Sequence, residues 1–216
     1  MKYLTKKGEI AMIKKLFITG LIVVATALVF HGCGGKLAGL KGAEEVVETS
    51  GKKPGMVSKN LWFEEQKDAR FFLGFSDQAK DHDVALRVAE LEGRKHIIEA
   101  IGSDIRVEGT RGLSGSEKES VGRFFEESMA YLTNNMRLSG AILQETYWEK
   151  WARSGYGDVS YYYKAYGIVR ISREDYERAR TMAADMLIGR AAQERNLQAE
   201  RAAREAKLRL LDGAGQ

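Results

Sequence analysis

Cys33 is the residue with the most specific chemistry in this chain, because it is the only cysteine and it follows a long uncharged segment. Lys14-Lys15 precede that segment. The apolar run Leu16–Phe30 would span roughly 22 Å as a helix, against ~30 Å for a bilayer's hydrocarbon core. Basic residues, a short apolar region and small residues before a cleavage point make an export signal. We therefore predict a signal at 1–32 and lipidation of Cys33.

The signal departs from the commonest lipoprotein pattern at Phe30 and His31, where an aliphatic and a small residue are usual. Two alternatives stay open, namely an uncleaved membrane anchor or cleavage as an ordinary secretory signal. Met12 is an alternative start, since the Met-Ile-Lys-Lys-Leu-Phe that begins there is a compact signal opening.

The basic excess of the chain lies in this predicted signal. The chain has 34 Lys and Arg against 30 Asp and Glu, with a pI near 9.0, which alone would favour a nucleic-acid or acidic-membrane partner. Five lysines and Glu9 precede Cys33, so the chain from Cys33 onward is nearly neutral. We therefore expect no nucleic-acid partner. One cysteine cannot form an intramolecular disulfide, so the domain must be held by packing.

Three further groups could do chemistry, and each has a simpler structural role. Asp81-His82-Asp83 could bind a metal, but adjacent side chains diverge and aspartates are typical helix caps. His96 and Glu92 would form a solvated pair on a helix. The loop Gly109–Ser116 lacks the Gly-Lys-Ser/Thr ending of a phosphate loop. Since Gly-x-Ser-x-Gly is also absent, we expect no catalytic residue, no metal and no cofactor.

The elements that must position these residues can be recognised from the spacing of their apolar residues. Segments with the two-residue spacing of a strand alternate along the chain with segments that have the 3.6-residue spacing of a helix. They predict an α+β open sandwich with a mainly antiparallel sheet of about four strands, two or three helices on one face, and a long C-terminal helix. The predicted order is a strand at 70–75, a helix from Asp81 or Asp83 to Gly102, a strand at 104–108, a helix from Ser116, a hairpin of strands at 141–151 and 158–171, and a helix from Ser172.

Apolar spacing also characterises the two predicted helices. In the first helix, Val84, Val88 and Leu91 recur at helical spacing with Ile98 and Ile101, and Ala85 and Ala89 lie beside this stripe. The second helix has its own stripe and should cover the sheet. That second stripe consists of Val121, Phe125, Met129, Leu132 and Met136.

The composition divides the mature chain into three parts. Residues 33–60 are rich in Gly, Lys, Glu and Ser and predict a flexible tether. Residues 61–188 form one α+β domain of ordinary size. Residues 189–216 predict a helical extension that continues from Asp175, either as a solvated helix or as a self-association arm.

Aromatic residues are densest in the predicted hairpin. Cross-strand packing would explain them, and a contact surface is the functional alternative, because Tyr and Trp supply large amphipathic area at low entropy cost. The residues predicted for such an interaction surface are Trp148, Trp151, Tyr156, Tyr162 and Tyr166.

Several of these segments together resemble the Lpp-twenty family of small bacterial lipoproteins, over roughly 61–186. They are Trp62, the strand Phe71-Phe72-Leu73-Gly74, the helix through Ala85 and Ala89, Trp148–Trp151, and Tyr161–Tyr176. The resemblance implies an outer-membrane lipoprotein with a periplasmic or surface-exposed α+β domain and no established catalysis. Some members of that family are flagellum-associated structural lipoproteins that assemble into disks.

These observations predict a non-enzymatic lipoprotein anchored through Cys33 in the outer membrane. Gly34, which is not Asp, fits sorting to that membrane. The expected role is structural or interactive, with copies of itself or with an envelope or flagellar protein as partner. The alternative is a module that binds a small ligand in a cavity lined by Phe71, Phe125, Met129 or Tyr163.

Overall fold

The computed structural model describes residues 43–155 and 157–213, and there the chain has the predicted α+β fold. Glu44–Arg153 and the chain from Val159 onward form one compact unit. The predicted signal and Cys33 lie outside the described residues. The strands are β1 (Glu44–Thr49), β2 (Phe63–Glu65), β3 (Ala69–Ala79), β4 (Ile142–Ser154) and β5 (Val159–Ser172). The helices are α1 (Gly55–Ser58), α2 (His82–Gly109), α3 (Gly115–Asn135), α4 (Arg173–Gln193) and α5 (Leu197–Gly213).

Within the described ranges the strands form one antiparallel sheet in the order β1-β4-β5-β3-β2. β3 and β5 pair along most of their length, with Gly74 opposite Gly167. The strands predicted at 70–75, 141–151 and 158–171 are confirmed. β1 and β2 were not predicted, and they extend the two edges of the sheet, which therefore has five strands.

Helix α2 is the largest departure from the predicted elements. It runs unbroken from His82 to Gly109, so the strand predicted at 104–108 is wrong, and Gly102 does not end the helix. Ile101 and Ile105 are fully buried at helical spacing among the other helices. Gly102 lies where a Cβ would come within 2.2 Å of the Met129 sulfur, so this glycine permits close helix packing.

Helix α3 begins at Gly115, with Ser114 in the extended N-cap position, and not at Ser116. Val121, Phe125 and Leu132 of its predicted stripe are buried. They pack with α2, α4 and α5, whereas the sequence predicted that this helix covers the sheet. The C-terminal part of α2, which the sequence predicted to be a strand, is helical. α3 therefore packs against a helix at this place and not against a sheet.

The C-terminal region folds back instead of continuing as one helix from Asp175. Ser172 caps α4 as predicted, with its hydroxyl accepting from the Asp175 amide at 3.0 Å. α4 ends at Gln193, and Arg195 has a positive φ of 53° in the turn that follows. α5 then packs on α4 and α2 through small residues. The extension is therefore part of the core and neither a solvated helix nor a free arm. Its buried residues are Ala199, Ala202, Ala203, Ala206 and Leu210.

The predicted tether also contains folded structure from Glu44 onward. β1 pairs with β4, with Glu44 opposite Arg153. Met56 and Val57 of α1 are buried against Leu73 of the sheet. The polar composition of this segment hid both elements, because an edge strand is solvated and α1 buries only two side chains.

The core lies between one sheet face and the long helices. Phe72, Val169 and Ile171 of the sheet join one cluster with residues of α2, α3, α4 and α5. The short α1 lies on the opposite face.

Candidate interaction surfaces

The outer sheet face, opposite the long helices, carries three of the aromatic residues predicted in the hairpin, Trp151, Tyr162 and Tyr166. Successive side chains of a strand point to opposite faces, so one set of alternate positions on β3, β4 and β5 lies together here. Their ring centroids are 4.9 to 6.3 Å apart in neighbouring pairs, which is the spacing of favourable aromatic contacts. The outer sheet face consists of Leu73, Phe75, Tyr147, Glu149, Trp151, Tyr162, Lys164, Tyr166 and Ile168.

Glu149 is the polar centre of the outer sheet face. Its side chain is only 7% exposed and forms a 2.8 Å ion pair with Lys53. The Tyr147 hydroxyl and the Trp151 indole nitrogen donate to it at 3.1 and 3.0 Å. Burial alone would raise the pKa of this carboxyl, but the hydrogen bond and charge of Lys53, with the two neutral donors, hold the pKa below its ordinary value. Glu149 is therefore a satisfied carboxylate and not a poised acid.

Lys53 fastens the segment before α1 onto this face. Its ammonium lies 5.6 Å from the Tyr147 ring centroid and 5.9 Å from that of Tyr166. Both distances fit a cation over an aromatic ring. Together with Met56 and Val57, Lys53 covers the middle of the outer sheet face. Much of the aromatic cluster therefore packs within the domain.

A second cation and aromatic group lies toward β1. Trp151 and Tyr162 stack at 6.3 Å with an interplanar angle of 14°. Lys164 lies 4.6 Å from the Trp151 ring centroid. The Tyr162 hydroxyl donates to Glu44 at 2.9 Å, and Arg153 pairs with the same carboxylate at 2.5 Å. These contacts link β1 to the sheet through side chains.

The structure divides the five residues predicted for an interaction surface. Trp151, Tyr162 and Tyr166 share the outer sheet face, although Tyr162 is only 6% exposed. Trp148 lies on the opposite face, where its ring is 5.8 Å from His82 and 5.7 Å from Tyr163. Trp148 therefore does not share a face with Trp151, Tyr162 and Tyr166, because neighbours along a strand alternate faces. Tyr156 lies outside the described residues.

Helix α2 touches the sheet through residues with little or no side chain. A Cβ added to Gly74 of β3 would lie 1.9 Å from the Ala89 carbonyl oxygen and 2.3 Å from the Gly93 nitrogen. A Cβ added to Gly93 would lie 2.6 Å from a methyl of Val169. Ala85 and Ala89 are fully buried in the same contact. The helix and sheet backbones therefore approach more closely than any larger residues would allow.

This close approach decides which side of the first half of α2 is buried. Val84, Val88 and Leu91, which we name the α2 stripe, are 55%, 39% and 60% exposed. They face away from the sheet, because the contact with the sheet selects small residues and not the most apolar ones. The spacing of Ala85, Ala89 and Gly93, four residues apart, was the signal that could have located the buried side.

A groove continues from the α2 stripe along the helix. Its volume is about 510 Å³. Four apolar residues, three basic residues, Glu92 and Thr133 line it. Arg94 and Lys95 pair with Glu90 and Glu92 within α2. The apolar lining residues are Leu91, Ile98, Met136 and Leu138, and the basic ones are Arg94, Lys95 and Arg137.

The Asp81-His82-Asp83 segment, predicted as either a helix cap or a metal site, forms the N-terminal cap of α2. The Asp81 carboxylate accepts from the amides of Asp83 and Val84 at 2.8 and 3.1 Å, as the sequence predicts for an N-cap. Potential metal-ligand atoms of Asp81, His82 and Asp83 lie within 4.8 Å of one another. His82 and Asp83 pair at 3.1 Å, so each group already has a structural partner.

His96 does not form the predicted solvated pair. Its Nδ1 lies 2.8 Å from the carbonyl oxygen of Leu73, and a carbonyl only accepts, so Nδ1 carries the proton and donates. Glu92 pairs with Lys95. His96 thus joins α2 to β3.

A charged network that the sequence did not reveal surrounds Tyr176 of α4. The buried Tyr176 hydroxyl donates to Asp104 at 3.0 Å, and the Arg70 guanidinium lies 4.0 Å from its ring centroid. Arg180 and Arg70 reach Asp104 at 3.4 and 3.8 Å. Burial, and then the Asp104 charge, raise the pKa of Tyr176 far above its ordinary value. The wrong assignment of Asp104 to a strand concealed this network, which ties β3, α2 and α4 together.

No family model, curated protein or solved structure matches this chain. Among the described helices, none combines the length and apolar character needed to cross a bilayer.

Proposed function

We propose that this chain is an envelope lipoprotein, anchored through Cys33, whose domain works by contact with other proteins. The observation that carries the proposal is the arrangement of Lys14-Lys15, the uncharged run to Gly32 and the lone Cys33. Each part has a role in export and lipidation. The near-neutral charge of the chain after Cys33 fits a role that needs no nucleic acid.

The start of the folded unit at Glu44 refines how such an anchor would work. Ten residues separate Cys33 from Glu44, and this stretch of chain reaches at most about 40 Å when fully extended. The predicted tether of residues 33–60 would have allowed more than twice that reach. The proposed lipoprotein therefore works close to the membrane surface.

The side chains of the domain support a contact role over catalysis. Glu149 and Asp104, two partly or fully buried carboxylates, are both held by basic and hydroxyl partners. The α2 stripe, by contrast, exposes three aliphatic residues along one face of the helix. Phe125 and Met129, expected to line a ligand cavity, pack at Gly109 and Gly102, which favours contact over the small-ligand alternative.

The proposed location is the outer membrane, in line with Gly34 and with the resemblance to the Lpp-twenty family. The alternative is an association with the flagellum. Fractionation of flagellated cells and of cells that lack flagella separates the two. A general envelope protein distributes identically in both, whereas a flagellar component changes its fraction when the flagellum is missing.

Mass spectrometry of the mature N-terminus tests the anchor. We expect a peptide that begins at Cys33 and carries a diacylglyceryl or triacyl mass. The Cys33→Ala variant should lack the lipid and should leave the membrane fraction or accumulate uncleaved. An intact chain from Met1 or Met12 with unmodified Cys33 would show that the segment is an uncleaved anchor, and cleavage at another residue would show an ordinary secretory signal. Either result overturns the lipoprotein proposal.

A further inference from the structure

The α2 stripe exposes its three aliphatic residues for a reason that lies on the other side of the helix. Because the sheet contact needs Ala85, Ala89 and Gly93, the large apolar residues of this half face outward. An isolated exposed aliphatic residue is ordinary, but a continuous row that runs into an apolar groove marks an interaction site.

We propose that the α2 stripe is the interface between two copies of this chain, related by a two-fold axis near Val88. The inference rests on the proposed contact function and names the surface and the partner. In an isologous dimer the same patch must be complementary to itself. The two α2 helices would then lie antiparallel across the axis.

The shape of this surface is self-complementary. With the axis near Val88, Val84 of one copy lies opposite position 92 of the second copy, beside Leu91. The groove floored by Ile98 and Met136 begins there. Val84, which is 55% exposed, is then positioned to enter the groove of the second copy, and the reverse contact occurs at the same time.

The charges along α2 favour the same antiparallel arrangement. Asp81 and Asp83 lie before the stripe, and Arg94 and Lys95 lie after it, where they also pair with Glu90 and Glu92 of the same helix. The two-fold axis brings the acidic end of one helix to the basic end of the other. A parallel arrangement would instead place like charges together. The Asp83 and Lys95 side chains are 76% and 44% exposed, so their role is to set orientation and not to supply most of the affinity.

The small size of the α2 stripe predicts a weak dimer in solution. Stable interfaces bury about 800 Å² on each partner, which three side chains and one groove do not reach. Confinement of an anchored domain near a membrane raises its effective concentration, and a weak interface then becomes occupied. Dimers should therefore be detected at the membrane more readily than in dilute solution.

Site-specific cross-linking of the full chain in intact cells tests this interface. Val88→Cys places a thiol next to the proposed axis, and a short bis-maleimide should convert a large share of the protein to a dimer. The matched control is Val107→Cys, which is on the same helix and 61% exposed but far from the axis. We expect several-fold less dimer with it. The unaltered chain measures any background from Cys33.

Second-site changes separate the interface from the fold. Adding Leu91→Glu to Val88→Cys should remove the dimer band, since the glutamate would face the apolar groove. Adding Lys95→Glu should reduce the band several-fold, and a further Asp83→Lys should restore it. Restoration by a second charge reversal would not occur if Lys95→Glu acted by unfolding the domain.

The outcomes also distinguish this inference from the anchor proposal. An anchored, folded Val88→Cys chain that stays monomeric overturns the dimer and leaves the anchor intact. An equal yield of cross-linked dimer from Val107→Cys also overturns the proposed interface. Cross-linking of Val88→Cys to a different protein overturns it too. A Val88-dependent dimer of a chain whose Cys33 carries no lipid supports the interface and overturns the anchor.

Discussion

The two halves of α2 carry similar apolar patterns and bury opposite kinds of residue. From Asp81 to Gly93 the helix lies on the sheet through alanine and glycine, and its large aliphatic residues face outward. From Ile97 to Gly109 it lies among helices, and Ile97, Ile101 and Ile105 are fully buried. One continuous helix therefore changes its buried side chains where its neighbours change from strands to helices.

The difference teaches that the neighbour, and not the helix alone, decides which residues are core. The strand residues opposite the first half are themselves small, with Gly74 beside Gly167, so the backbones can approach closely. In the second half, Ile97, Ile101 and Ile105 fill the space around the neighbouring helices, and Gly102 and Gly109 lie at the closest points of contact. Four substitutions, two of them with a matched control, test this contrast, from the largest expected effect to the smallest.

Gly74→Ala should be the most damaging of them. Its new methyl would meet backbone atoms of α2 at 1.9 and 2.3 Å, and backbone cannot rotate away as a side chain can. We expect the free energy of unfolding to fall by ~3 kcal/mol or more, the upper end for overpacking. Urea denaturation of the chain from Gly34 onward, followed by circular dichroism, measures this.

Gly122→Ala is the control for a glycine without close neighbours. It lies within α3, and nothing is within 4 Å of an added Cβ. Alanine should therefore raise the free energy of unfolding by ~0.5–1 kcal/mol. Equal effects of the two substitutions would contradict the close helix and sheet contact.

Ile101→Ala removes a fully buried side chain from the second half of α2. The cavity should lower the free energy of unfolding by ~2–5 kcal/mol. Urea denaturation again provides the measurement, with the conservative Ile101→Val as the matched variant at ~0.5–1.5 kcal/mol. A loss below that of the valine variant would show that this half is not packed as described.

Tyr176→Phe tests how the second half is tied to α4, through the bond to Asp104. The folded protein raises the pKa of Tyr176 above its ordinary value of 10.0. Its contribution is therefore fully present below pH 10 and is lost as the pH rises above that value. The unaltered chain should lose ~1.4 kcal/mol of stability per pH unit there from this one group.

The Tyr176→Phe variant should not show this contribution to the loss of stability at alkaline pH. It should also be less stable at neutral pH, by the ~1.5–3 kcal/mol that a hydrogen bond to a charged group contributes. Unfolding measured at several pH values between 8 and 11 compares the two chains. Parallel alkaline curves would show that Tyr176 does not couple ionisation to folding.

Leu91→Ala should have the smallest effect on the isolated domain. The leucine is 60% exposed, and substitutions at such sites usually stay within about 0.5 kcal/mol. The same variant should weaken the cross-linked dimer at the membrane. A large loss of stability in the monomer would instead place the α2 stripe in the core.

Much of the fold was predictable because it depends on local pattern. The strands at 70–75, 141–151 and 158–171 follow from their apolar and aromatic runs, and the caps Asp81 and Ser172 from their side-chain chemistry. β1 was not predictable in this way, since all six of its residues are exposed. Its position depends on an unpaired edge of β4 that no local pattern reveals.

The interaction surfaces were predictable only in part. Strand alternation should have separated Trp148 from Trp151 on the two faces of β4, and that rule is local. The position of Lys53 and α1 over the outer sheet face could not be predicted from local pattern. Lys53 lies almost a hundred positions before Glu149, its partner on β4. The network around Tyr176 likewise depends on Asp104 being helical.

The sequence by itself determined the α+β class, three of the strands and the helix caps Asp81 and Ser172, because periodicity and capping act over a few residues. Only the tertiary structure decided that Val84, Val88 and Leu91 face outward, that α5 folds back into the core, and that β1 joins the sheet. Burial depends on the size and shape of a neighbour that is distant in the chain. Hydropathy along one helix does not contain that information.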